Sequence, residues 1–511
     1  MKYFLTLISI LVFNLANAQD GTIDSTFGVN GRVLTLMQSS NDKLNFVEVQ
    51  SDDKILAGGN VIYDTVNNKN AFALIRYHSN GSIDSSFANN GSMIYNFNGG
   101  SATANTIKLQ ADGKIILAGQ ATSGNLKGFA AIRLNSDGSL DTTFANGGSL
   151  ITSISNVDDR VFTIALHPDG RIMLGGYSKS STYTKLAVAR YDINGNIDTS
   201  FNNTGIVLYA QTGNNVLCNG ISIDSVGNYI LSGNSSYTGS SSGFLRKYLA
   251  NGILDTSFGI NGTWTTGVGN GFSDNTTGIK TLPDGKMLVG YTSSYTAPKK
   301  FAIRRFLPSS WAVDPTFANG GTAYYSSGIT SYAAATFAQQ PDGKILVTGN
   351  YQNGSIKSFA TVRYEANGAL DSLFGTNGIV VSPFTSNDNS SSNDIAVQSN
   401  GGIIVAGNNT QNNVRRFALI KYHGSSITVN EFENKKNFFD LQVFPNPSND
   451  FITVQSSGNL VTANITIINA LGEIVFIKKN ASEFESIDIS GLAHGIYFLK
   501  MNNREMKFIK Q

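Results

Sequence analysis

The chain has 511 residues, with 37 Lys+Arg against 35 Asp+Glu, and its formal net charge of +2 excludes an electrostatic case for a dedicated nucleic-acid or acidic-substrate binder. Charged residues are only 14% of it, against roughly 25% in an ordinary soluble domain, and 53 Gly with abundant Ser, Thr and Asn fill the polar positions, a balance that suits an extracellular β-rich protein. The single cysteine, Cys218, excludes an intramolecular disulfide and a multi-cysteine metal centre, and His78, His167, His423 and His494 are too scattered for a ligand cluster, so neither metal nor cofactor is expected.

In chain order, Lys2 is followed by an apolar run from Phe4 to Phe13, broken only by Thr6 and Ser9, and then by the small residues Ala16-Asn17-Ala18. This pattern predicts a signal peptide over residues 1–18, cleaved after Ala18. The run is about half of what a bilayer-spanning helix needs, and no later stretch approaches ~18 apolar residues, so the mature chain is expected to be exported through the periplasm without a transmembrane segment. No cysteine follows the cleavage site, which closes the lipoprotein route.

From Gly21 onward the chain repeats itself. Asp-x-x-Phe occurs at Asp24/Phe27, Asp84/Phe87, Asp141/Phe144, Asp198/Phe201, Asp255/Phe258, Asp314/Phe317 and Asp371/Phe374, with successive Asp positions 60, 57, 57, 57, 59 and 57 residues apart. Within each unit an alternating stretch such as Thr106–Gln110 leads to an Asp-Gly turn, as at Asp112-Gly113, and an apolar run follows. That is a hairpin signal, because a tight turn needs the positive φ these residues tolerate. A third strand such as Phe129–Leu134 and, after Asp-x-x-Phe, a fourth such as Gly205–Tyr209 complete the unit. Four antiparallel strands repeated seven times predict an all-β, seven-bladed β-propeller over residues 19–422. Residues 21–36 hold only a fourth-strand element and residues 390–422 only the first three, so the N-terminal strand is expected to close the last blade.

A carboxylate repeated in every unit argues against catalysis, which needs dissimilar groups converging at one place. The Asp is read as a turn-former, the Phe as a buried plug between blades, and no catalytic residue is assigned. A basic residue ends each third strand, and the expected pairs are Arg76 with Asp84, Arg133 with Asp141, Arg190 with Asp198, Lys247 with Asp255, Arg305 with Asp314 and Arg363 with Asp371, the alternative being a solvated base at each strand end. Lys421 is left to find Asp24 across the closure. What varies between units is the freer carrier of function. The second-to-third-strand loops place Tyr63, Tyr177, Tyr183, Tyr237, Tyr291, Tyr295 and Tyr351 on one face, where exposed tyrosines suit an extracellular glycan or protein. The expected role is a binding or adhesion module. The alternatives are an enzyme on extracellular polysaccharide or peptide with its site at the channel mouth, and a structural surface component.

Residues 423–438 read as a polar linker, and residues 439–511 as a second domain, a small Ig-like β-sandwich of alternating apolar runs punctuated by Gly458, Gly472 and Gly495. Phe444-Pro445-Asn446-Pro447, Asn469-Ala-Leu-Gly472, Leu492-x-x-Gly495-Ile-Tyr497 and the basic terminal strand Lys507–Lys510 resemble the type A sorting domain of the type IX secretion system of Bacteroidota. That resemblance implies the type IX machinery as partner and delivery to the extracellular space or outer cell surface. The array, through Asp112–Gly119, Phe129–Leu134 and Gly138–Phe144, resembles the delta-60 repeat family, which implies the propeller and no transferable catalytic residue.

Overall fold

The computed structural model describes residues 19–38, 40–155, 157–179, 182–237, 240–265, 274–293, 299–308, 311–326, 331–354, 356–384, 389–424, 441–456, 463–469, 473–481, 484–501 and 504–511. The expected signal peptide, most of the linker, Tyr295 and Gly472 lie outside them. Every described regular element is a β-strand, so no described helix is long and apolar enough to cross a membrane. The chain divides into two compact units, Met1–Ile427 and Thr428–Gln511.

In the first unit the strands follow the repeat. Ala102–Leu109, Ile115–Ser123, Leu126–Leu134 and Ser149–Thr152 pair in sequence order as one antiparallel meander, and the other repeats do the same. The hairpin turns take positive φ, at Gly113 (83°) and Gly170 (90°), and in the divergent first repeat at Asp53 (62°). Adjacent meanders join at most through single parallel bridges, such as Lys127 with Asp158. The first strands, Lys43–Val49, Ala102–Leu109, Asp158–Leu166, Asn215–Ile223, Asp274–Thr281, Ser331–Gln339 and Asn389–Val397, neighbour one another in a closed cycle.

The last meander is completed from the other end of the chain. Arg32–Thr35 pairs antiparallel with Phe417–Ile420. Lys421 reaches Asp24 at 3.2 Å, and Asp20 lies 2.6 Å from the buried Arg363 guanidinium. The six other expected pairs also form, from 2.7 Å for Arg133–Asp141 to 3.3 Å for Lys247–Asp255. Each clamp Asp also accepts from the residue two positions on, as Asp84 does from the Ser86 amide and hydroxyl. Four of the arginines reach onward to a carbonyl of the next repeat, for example Arg76 Nη1 to Ser136 O at 2.7 Å. Removing one partner of so enclosed a pair costs about 3–5 kcal/mol, because the other charge is left unmatched.

The plug phenylalanines Phe27, Phe87, Phe144, Phe201, Phe258, Phe317 and Phe374 are all at most 1% exposed. They are therefore core residues with no surface left for a ligand, and none of them lines a cavity described below. Phe201 packs edge-on against Tyr229, Phe258 against Trp311, and the Arg305 and Arg363 guanidinium groups lie 4.6 Å over the rings of Phe317 and Phe374. Phe87, Phe144, Phe201, Phe317 and Phe374 so sit beneath their clamp arginines, where a cation over the ring face adds to the apolar burial. The apolar cores lie between meanders rather than within them. One joins Phe46, Phe72 and Phe87 to Ile115 and Ile132, and another joins Phe27, Leu44 and Ile75 to Ile404, Phe417 and Leu419, so first and last repeats share a core.

Every first strand carries a β-bulge, which skips Asn45, Asn105, Phe162, Asn219, Thr277, Ala335 and Asn393 from the ladder. The bulge drives a carbonyl against the second strand, and this accounts for a recurrent glycine there. A Cβ at Gly59 would lie 2.0 Å from Lys43 O, at Gly119 1.9 Å from Thr103 O, and at Gly176 1.8 Å from Arg160 O. The fifth repeat has Tyr291 at this position, paired with Thr276 and Ala302.

In the second unit, Leu441–Phe444, Phe451–Ser456 and Phe484–Asp488 form one sheet, and Ile474–Ala481, Ala463–Asn469, Gly495–Met501 and Arg504–Lys510 form another. Both contribute to one buried cluster that includes Ile452, Val454, Ile465, Ile467, Leu499 and Phe508.

Candidate functional site

The bulged first strands place the ends of several repeats around a cavity of about 380 Å³. Its basic members are Lys43, Arg160 and Arg415, its amides Asn41, Asn60, Asn70, Asn105 and Gln120, and Thr103 and Phe162 complete it. These residues come from the first, second, third and last repeats, so the cavity exists only because the chain's ends meet.

Local pairing fixes each group. Lys43 stands opposite Asn60 and Thr103 opposite Gln120 in their hairpins, and Arg160 stands opposite Tyr177. Asn105, a bulge residue, donates to Val161 O at 2.7 Å and to Gln120 Oε1 at 3.0 Å, holding two repeats together beneath the cavity. Arg415 is held beside the segment leading to Lys43, since its amide donates to Ser40 O at 2.8 Å and it bridges Asn41.

The charges are not equivalent. Arg160 is neutralised by Asp158, with Nη2 2.9 Å from Oδ2, and the Asp158 carboxylate also accepts from the Tyr177 hydroxyl at 3.2 Å. Burial, chiefly, pushes the Tyr177 phenol up to about 12, so it remains a donor. Lys43 and Arg415 have no carboxylate within ion-pair distance among the described residues. Desolvation first, and the Arg415 charge second, hold the Lys43 ammonium below the ordinary lysine range. The neighbouring Asp42 is turned to its own loop, where its carboxylate accepts the Met37 and Gln38 amides. Asn60, 7% exposed, donates to Asn70 Oδ1 at 3.1 Å, while its own Oδ1 meets no donor among the described residues. The Phe162 ring leans on Tyr177, with centroids 5.7 Å apart.

Further along the first strands, Lys108 lies 3.2 Å from Glu48, and Asp394 accepts the Val47 and Ile395 amides, each at 2.9 Å. Partly open but surrounded by protein, Asp394 has its carboxyl pushed up to about 7, mainly by desolvation and against the lowering effect of those amides. A larger groove of about 600 Å³ lies over Ala318, Tyr324, Tyr364 and Leu370, in the seam between the fifth and sixth repeats. It is built from repeat turns common to all units, whereas the first cavity is built from positions that vary.

The predicted tyrosines do not converge. Tyr183 and Tyr237 are exposed at 42% and 55%, but Tyr63, Tyr177 and Tyr351 are half-buried within hairpin strands, because those strands run almost to the loop tips. Tyr63 donates to Gly100 O at 3.3 Å. Tyr291, expected in a surface loop, is instead 1% exposed, since it occupies the bulge-facing position inside Met287–Ser293. Of the set, Tyr177 reaches the cavity wall, through Asp158 and Phe162. Sequence reasoning missed Lys43, Arg415 and Asn60. The signal was present across repeats: the position of Lys43 is Thr103, Arg160, Leu217, Asn275, Ala333 and Ser391 in the others.

In the second unit Asn446 binds the terminal strand from both sides of its amide, Nδ2 donating to Lys507 O at 3.0 Å and Oδ1 accepting from Ile509 N at 2.9 Å. Pro445 and Pro447 flank it, and Phe444 ends the first strand at 42% exposure. Gly495 opens the strand that carries Tyr497, whose ring stacks on Phe508 at 5.6 Å and whose hydroxyl donates to Ala493 O.

Residues 442–511 match the family described as the secretion system C-terminal sorting domain. Residues 50–87, 110–144, 167–201, 282–317 and 340–374 match the family described as a domain of unknown function (DUF5122) beta-propeller, each stretch ending on a plug phenylalanine. Beta-agarase A of Zobellia galactanivorans is 35% identical over 71 residues, which are 14% of this chain and 13% of the agarase. The chain therefore spans about an eighth of that relative's length. A protein of unknown function from Dyadobacter fermentans is 12% identical, with 62% of this chain and 93% of that one covered and a TM-score of 0.43. A Trypanosoma rangeli sialidase is 9% identical, with 94% and 89% covered and a TM-score of 0.35. The sorting domain indicates delivery by type IX secretion to the extracellular space or the cell surface, and the exported cargo contains a β-propeller region.

Proposed function

We propose that this protein is a seven-bladed β-propeller of the delta-60 type over residues 19–422, which binds an extracellular glycan at the cavity beside its closing seam. Residues 1–18 are a signal peptide, 423–438 a linker, and 439–511 an Ig-like sorting sandwich that takes the propeller across the outer membrane of a member of the Bacteroidota. Seven clamp pairs, seven plugs and a closed cycle of first strands support the propeller.

The observation that carries the binding role is the cavity lining. Five amides, one threonine, three bases and an aromatic edge converge in a concavity large enough for a few sugar rings, a composition that hydrogen-bonds hydroxyl-rich ligands. A glycoside hydrolase would need two carboxyl groups flanking the ligand. Among the described residues the cavity's neighbouring carboxylates, Asp158 and Asp42, are already held by Arg160 and by backbone amides. The test is retention of the purified protein on a panel of polysaccharides and extracellular proteins, with supernatants assayed for soluble products. Retention on polysaccharide without product is expected, and product release would move the site's role to catalysis.

A further inference from the structure

We propose that the glycan bound at this cavity is anionic, placing a sulfate ester or carboxylate between Lys43 and Arg415 while one of its hydroxyls donates to Asn60 Oδ1. This rests on the glycan-binding reading and goes beyond it in naming the class of ligand.

Two observations point to an anion. The base that ends each third strand, and Arg160 in the cavity wall, has a carboxylate within 3.3 Å. Lys43 and Arg415 have no such partner among the described residues, and they line the same cavity. A parallel bridge of Arg415 to Asn41, with the Arg415 amide donating to Ser40 O, brings the two like charges to one cavity that no carboxylate lines. Like charges so placed raise the energy of the empty site and lower it when an anion enters. The fold does not require them, because the position of Lys43 is Thr, Leu, Asn, Ala or Ser in five of the other six repeats.

The third observation points to a hydroxylated carrier rather than a bare anion. Asn60 is nine-tenths buried and lines the cavity with a carbonyl oxygen that no described group satisfies. A buried acceptor left open costs free energy that a ligand hydroxyl recovers. Phe162 supplies an apolar edge at the same wall, against which the C–H face of a sugar packs.

The experiment is calorimetric titration of the purified full-length protein, in 0.15 M salt, with size-matched oligosaccharides. The neutral arm is agaro-oligosaccharide, the anionic arms are sulfated galactan oligosaccharide and oligogalacturonate, and the controls are poly-L-glutamate and inorganic sulfate. At least one anionic saccharide is expected to bind about tenfold or more tighter than the neutral one, with Lys43→Ala and Arg415→Ala each weakening it about tenfold and Lys43→Arg restoring most of the loss. Unchanged thermal unfolding of the variants separates this from misfolding. Neutral and anionic saccharides of equal affinity, or anionic binding indifferent to Lys43→Ala and Arg415→Ala, overturn the anion inference and leave the glycan reading standing. Poly-L-glutamate or inorganic sulfate binding as tightly as the saccharides overturns the choice of a saccharide. No binding of any oligosaccharide sinks the glycan reading itself.

Discussion

Replacing Phe27 by alanine tests whether the chain's two ends form one core. Phe27 is 0% exposed and belongs to a cluster that includes Leu44 and Ile75 from the first repeat and Phe417 and Leu419 from the last. Truncating a phenylalanine at a site whose walls are β-sheet, and so collapse poorly, costs about 3–5 kcal/mol. Unfolding entropy of about 2.1 cal/mol/K per residue, over the roughly 400 residues of the first unit, is about 0.8 kcal/mol/K. A loss of about 4 kcal/mol therefore lowers Tm by about 5 °C. The internal standard is Phe144→Ala, whose plug sits between the second and third repeats and is equally buried. Differential scanning calorimetry of both variants is expected to give similar shifts. In an open array Phe27 would sit at a frayed end, where truncation costs well under 1 kcal/mol. A shift of about 1 °C or less for Phe27→Ala beside about 5 °C for Phe144→Ala refutes the closure.

Three further outcomes are expected. Burial would raise the clamp carboxyls, but the amide two positions on, a hydroxyl there in six of them, and nearby bases hold all seven below the usual range, Asp84 at about 2. Groups depressed in the fold stabilise it above their unfolded pKa near 4, so Tm is expected to fall steeply as pH drops from 4 to 2, and a flat acid limb would contradict the clamps. Asp394, raised to about 7, has the opposite sign: its contribution is fully present below about pH 4 and is lost as pH rises through 7, so Asp394→Asn is expected to narrow the Tm difference between pH 5 and pH 8, and an undiminished difference assigns the effect elsewhere. Deleting residues 442–511 is expected to leave the propeller in the periplasm, and normal surface delivery of that truncation, read by fractionation and surface proteolysis, would count against the sorting assignment.

The repeat was legible because each unit spends the same residues on the same physical problems. A turn needs Asp-Gly, a seam needs a plug, and a plug beneath a carboxylate needs a base, so Asp84, Phe87 and Arg76 recur about every 57 residues. Even Lys421 with Asp24 could be paired from the sequence, because the incomplete last repeat lacked a fourth strand and the first residues supplied one. The sorting domain was legible for a related reason, since Asn446 must satisfy a backbone donor and a backbone acceptor of the terminal strand together.

The cavity was not legible in this way. Tyrosine content pointed to loop tips, yet the hairpin strands extend almost to those tips, placing Tyr63 at a strand bulge and drawing Tyr351 into pairing, and the bulge register buried Tyr291. Lys43 and Arg415 are 372 positions apart (415 − 43), and each alone reads as an ordinary surface base. The unit, its recurrence, its clamps and its route of export thus followed from the chain alone, because periodic local interactions repeat their signature along it. Which side chains share a cavity was decided by tertiary structure, because ring closure makes neighbours of residues from opposite ends, and the bulges fix which of them face one another.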